Sequence, residues 1–73
     1  MGKLANISGK EAVKVFEKLG WFVRGQVGSH VVLTKDNEKA NLSVPQHKEL
    51  APGTLRKLIK NSGITVDEFL EKV

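Results

Sequence analysis

Seventy-three residues carry 12 Lys plus Arg against 8 Asp plus Glu, a formal net charge of +4, and no cysteine. Disulfides, thiol nucleophiles and cysteine-ligated zinc are therefore excluded, and the lack of thiols fits a reducing cytoplasm, the expected location. One domain spanning residues 1–73 is expected, and the basic excess favours an anionic partner, nucleic acid first, because each phosphate neutralised by Lys or Arg releases counterions.

Met1 to Ile7 has no clear pattern and reads as an approach to the first helix or a frayed end. Ser8, followed three residues later by Glu11, has capping-box spacing. Ala12, Val13, Phe16 and Leu19 then recur at helical intervals to make an apolar face, and Gly20 supplies the left-handed stop. Lys10, Lys14 and Lys18 form a basic stripe on that helix, for which a merely solvated face is the plainer account. Trp21 to Gln26 starts with aromatic and β-branched residues and reads as a strand, with Trp21 and Phe22 assigned to the core rather than to base stacking. Gly28-Ser29 offers a hairpin turn into a partner strand, His30 to Lys35.

Asp36-Asn37 is the next turn, after which Lys39 to Val44 alternates Ala40, Leu42 and Val44 with Asn41 and Ser43 until Pro45 ends the strand. Gln46 to Ala51 reads as a polar loop. Pro52 suits the first position of a second helix, with Leu55, Leu58 and Ile59 facing inward, Arg56, Lys57 and Lys60 outward, and Gly63 as its stop. Thr65 and Glu68 repeat the capping-box spacing ahead of Phe69 and Leu70, which predicts a short last helix. The whole is an α+β fold in two layers: a three-stranded antiparallel meander with helices on one face, in the order α-β-β-β-α plus a short C-terminal helix. No apolar run approaches the roughly 20 residues of a membrane span, and no signal-peptide stretch opens the chain, so no membrane association is expected.

Reactive side chains are few. His30 stands at the start of a strand beside a tight turn, which leaves its imidazole approachable, and His47 lies in the loop after Val44-Pro45. A lone histidine on a strand is commonly a structural hydrogen-bonding group; as an acid/base it is also the only candidate with a position suited to chemistry. Ser29 does not make a Ser-His pair with it, because adjacent strand residues point to opposite faces. His30, His47, Asp36 and Glu49 lack metal-ligand spacing, and no glycine-rich phosphate loop is present, so neither metal nor cofactor is expected. RNA hydrolysis needs little equipment, since the ribose 2′-OH lies next to its own phosphate; one base and a few cations suffice. Arg24, across the hairpin from His30, and Lys35 near the far end of its strand are the expected phosphate-stabilising groups. Alternation turns His30, Val32 and Thr34 away from Val31 and Leu33, but both sets are apolar enough to leave open which face is core.

The residues also carry a resemblance. Ser8-Gly9-Lys10-Glu11, Leu19-Gly20-Trp21, Arg24, Gly28-Ser29-His30, Val44-Pro45-Gln46-His47-Lys48-Glu49-Leu50, Pro52-Gly53-Thr54-Leu55-Arg56-Lys57-Leu58-Ile59 and Ser62-Gly63-Ile64, in this order, resemble the HicA family of toxin mRNA interferases. The resemblance implies a double-stranded-RNA-binding-domain-like fold, cleavage of mRNA, neutralisation by a HicB-like antitoxin protein, and a catalytic role for the matching His30. Val31 and Leu33 depart from the second histidine and the aromatic residue that many relatives have there, so no auxiliary role is implied at either. The expected RNA-binding residues are Lys10, Lys14, Arg24, Ser29, Lys35 and Arg56. Two other classes remain open on the residues alone: a non-catalytic RNA-binding module, and a protein-interaction domain whose charge only keeps it soluble.

Overall fold

In the computed structural model, which describes residues 4–73, helix α1 (Gly9–Lys18) begins at the predicted capping box. The Ser8 hydroxyl accepts from the Glu11 N–H at 3.0 Å, and the Glu11 carboxylate accepts from the Ser8 N–H at 3.0 Å. Ala12, Val15 and Phe16 are its buried side chains, while Val13 and Leu19 are only partly buried against the core. Val15 thus takes a place that the sequence pattern had assigned to Val13. Gly20, at φ +100°, turns the chain into the sheet.

Strands β1 (Phe22–Val27), β2 (His30–Thr34) and β3 (Leu42–Pro45) form an antiparallel sheet in the order β1-β2-β3. Two residues, Gly28 and Ser29, join β1 to β2, and only Gly28 has a positive φ, +59°, as a short hairpin loop opening with glycine requires. The last strand is shorter than its alternation suggested. Lys39, Ala40 and Asn41 lie outside it and exposed, since they follow a turn whose Asn37 sits at φ +69° and only Leu42 onward finds a partner in β2.

Helix α2 (Pro52–Asn61) starts on Pro52 with no side-chain cap, and α3 (Val66–Glu71) starts on the second capping box, where Thr65 and Glu68 bond each other's N–H at 3.1 and 2.9 Å. Leu55, Leu58 and Ile59 of α2 and Phe69 of α3 join Leu33, Leu42 and Val44 of the sheet and Trp21 in one buried cluster. Phe69 meets Phe16 in a tilted pair with centroids 5.3 Å apart. The helices therefore cover one face of the sheet and leave the other open, the double-stranded-RNA-binding-domain-like α+β arrangement.

Two segments read as patternless or polar are fastened together. Leu4, Ile7 and Leu50 are buried; the Leu50 N–H bonds the Ile7 carbonyl at 2.7 Å, and the Gly9 N–H bonds the His47 carbonyl at 3.0 Å. Residues 4–7 are thus an anchored approach to α1, whereas residues 1–3 lie outside the described part. No helix among the described residues is long and apolar enough to cross a membrane.

Candidate active site

Burial decides the orientation that alternation left open. Leu33 is fully buried and Val31 packs against the core, so His30, Val32 and Thr34 point to the open face. Opposite residues in an antiparallel pair share a face, and His30 is opposite Val27 on one side and Pro45 on the other. The open face around the imidazole thus carries Val27, Pro45 and, diagonally on β3, Ser43, which is opposite Val32. Ser43 Oγ lies 3.2 Å from His30 Nδ1. Both side chains are exposed, and Nε2 has no hydrogen-bonding partner among the described residues.

The turn beside the histidine is well braced. The Gln26 side-chain amide donates to the Gly28 carbonyl at 3.0 Å, and the Gln46 N–H donates to the Ser29 carbonyl at 2.7 Å. That last bond ties the hairpin to the segment after β3. The same segment receives α1: a Cβ on Gly9 would overlap the Pro45 carbonyl oxygen and lie 2.9 Å from Gln46 Cα. Only glycine permits so close an approach, and its effect is to bring the first turn of α1, with Lys10, to the His30 end of the sheet.

The expected phosphate-binding residues are not one cluster. Val27, not Arg24, is opposite His30; Arg24 is the extra residue of a bulge between the Val23–Leu33 and Gly25–Val32 pairs, about 10 Å along β1 by strand rise. Lys35, just past the end of β2 and about 17 Å from His30 on the same scale, rests its stem near Gly20, where an added Cβ would meet Lys35 Cε at 3.3 Å. Lys14 lines a shallow groove with Lys18 and Lys72, and Arg56 is exposed on α2, on the outer side of the helix layer. Ser29 is an exposed turn residue whose carbonyl is already engaged. Of this set, Ser29 adjoins His30 in the turn and Lys10 is brought to the same end of the sheet by the close approach of Gly9 to Pro45, whereas Arg24 stays farther along β1.

Two neighbours escaped the sequence reading. Ser43 was visible only as a polar position in an alternating strand, and the β2–β3 register that sets it beside His30 has no local signal. Lys48 follows His47, whose carbonyl holds Gly9, so it joins the loop at the same end of the sheet. Phe22, assigned to the core, is instead 59% exposed on the open face, and Val27 is 73% exposed there, because no helix covers that side. Among the described residues no group of three or more His, Cys, Asp or Glu is placed to hold a metal ion.

These features define a class: a small basic α+β domain whose helices cover one side of a sheet that presents a histidine on the other. Residues 9–64 match the family described as the HicA toxin of bacterial toxin-antitoxin systems, and the chain belongs to that family. Among solved structures it is similar to a chain of a toxin-antitoxin complex from Streptococcus pneumoniae, with 32% identity and a TM-score of 0.72 over 80% of this chain and 98% of that one. No curated protein matches the chain significantly.

Proposed function

We propose that this chain is an endoribonuclease toxin that cleaves mRNA in the cytoplasm with His30 as its proton-transfer group, residues 1–73 acting as one domain. The observation that carries the reading is the exposed imidazole of His30, set on the open sheet face by a braced hairpin, in a chain of the HicA toxin family. An imidazole with a free Nε2 can take the proton of a ribose 2′-OH placed against it. The 2′-oxygen then bonds the adjacent phosphorus, the bond from phosphorus to the 5′-oxygen breaks, and the leaving oxygen takes a proton from the imidazolium or from water. The products are a 2′,3′-cyclic phosphate and a 5′-hydroxyl. Cations close to the phosphate offset the charge that develops on its oxygens; Lys10 is best placed to do so, Ser29 and Arg24 extend the contact along the chain of phosphates, and Lys14, Lys35 and Arg56, farther from His30, meet only a longer RNA.

This chemistry uses a neighbouring hydroxyl as nucleophile and requires no metal-bound water, so cleavage is expected to continue in a chelator. The partner expected to restrain it is a HicB-like antitoxin; support comes from the family and from the similar chain, which belongs to a toxin-antitoxin complex.

The test is cleavage of a long unstructured RNA by purified protein in chelator, comparing wild type with His30→Ala. Removal of a general acid/base lowers the rate by about 10²–10⁴-fold. A folded His30→Ala protein that still binds RNA but no longer cuts it supports the reading. Undiminished cutting by that variant overturns it. Binding without cutting by the wild type leaves a non-catalytic RNA-binding module instead.

A further inference from the structure

We infer that Ser43 is a positioning residue for His30: its hydroxyl pairs with Nδ1 and fixes the direction of the ring, so that Nε2 is presented on the open face. The inference rests on the reading of His30 as the proton-transfer group, and it adds a residue that no sequence motif marks. Its geometric basis is the 3.2 Å separation of Ser43 Oγ and His30 Nδ1, made diagonally across β2 and β3 on the face that the helices leave open. Neutral imidazole has one N–H and one lone pair, and a hydroxyl can pair with either. Only one of the two pairings gives a base at Nε2. In it the Nδ1 proton is donated to Ser43 Oγ, and the serine proton turns outward to solvent.

The same arrangement serves both halves of the reaction. When Nε2 takes a proton the ring becomes imidazolium, whose Nδ1 is still a donor, so the bond to Ser43 persists and the ring need not rotate before it returns the proton. A fixed ring direction matters here because the hairpin alone positions only the backbone of His30. Val27 and Pro45 flank the ring but offer no side-chain hydrogen bond, whereas Ser43 supplies direction. Its strand is itself held, by Leu42 and Val44 buried on the opposite face.

Ser43→Val and Ser43→Thr separate this role from strand structure, since both suit an exposed β position and only threonine keeps the hydroxyl. The full chain is assayed on an RNA oligonucleotide for kcat and KM, alongside His30→Ala, and the His30 ring nitrogens are read by ¹⁵N NMR. One hydrogen bond of this kind corresponds to a fall in kcat of about 3- to 10-fold. The expected result is that fall in Ser43→Val with KM unchanged, recovery in Ser43→Thr, and a change in the Nδ1 shift, from loss of its hydrogen bond, only in the valine variant. Wild-type kcat and unchanged ring nitrogens in Ser43→Val, with His30→Ala inactive, overturn the positioning role alone. Full activity in His30→Ala overturns it together with the catalytic reading, and that arm distinguishes the two failures.

Discussion

Single residues here act by where they let others sit. Gly9 is the sharpest case, because α1 meets the Pro45 carbonyl with no room for a methyl group. Gly9→Ala should push the helix start away from β3 and cost about 1–3 kcal/mol in overpacking, measured by denaturant unfolding; wild-type stability would show that the contact yields freely. Charged residues differ in the same positional sense. If phosphates run across the open face, each contact with single-stranded RNA contributes about 0.7 to the slope of log affinity against log salt. Lys10→Ala and Arg24→Ala should each flatten that slope by roughly this amount, whereas Arg56→Ala, on the outer side of the helix layer, should change it less. Equal changes at all three positions would place RNA over the helices as well.

Among the helices, α3 is the shortest and the most dependent on one side chain. Phe69 is its fully buried residue, paired with Phe16, while Leu70 and Val66 are only partly buried. Phe69→Ala should cost about 3–5 kcal/mol, enough to undock the helix in so small a domain, and should appear as early amide exchange in residues 65–71. Ser8→Ala removes one half of the reciprocal cap on α1, for an expected loss of about 1 kcal/mol. The hairpin is the element that sets His30: it has Gly28 at positive φ, the Gln26 brace, and the bond from Gln46 to Ser29. Gly28→Val would strain that turn and should lower cleavage by displacing His30, with most of the global stability retained.

For the whole molecule, division into a covered and an open sheet face sets what approaches from outside. The core lies between sheet and helices, and a radius of gyration of 11.1 Å matches the about 11 Å expected for a compact chain of this length. On the open side Val27 leaves apolar surface beside His30 and Phe22 does so at the other end of β1, on a protein of net charge +4. A HicB-like antitoxin that neutralises the toxin by occlusion should bury His30 and set acidic or polar groups against Arg24. In stopped-flow binding, salt should slow association more than it speeds dissociation, because rim charges act mainly on the encounter. A complex that keeps full ribonuclease activity with His30 exposed would mean that restraint acts elsewhere.

Local chemistry was legible along the chain: both capping boxes, the glycine stops, the Gly28-Ser29 hairpin and the element order follow from short-range spacing, and so does the singling out of His30. The family resemblance also lies in local motifs, and the match over residues 9–64 bears it out. What the sequence left undecided depends on contacts between residues far apart. A two-residue period shows that His30 and Leu33 face apart, but only the helices packed on Leu33 determine which of them meets solvent. The exposure of Phe22, the burial of Ile7 and Leu50, and the place of Arg24 in a bulge are likewise settled by packing and register. Ser43 beside His30 is the extreme instance: 13 positions separate them, and the pair exists only once β2 and β3 align, because register belongs to the sheet and not to either strand.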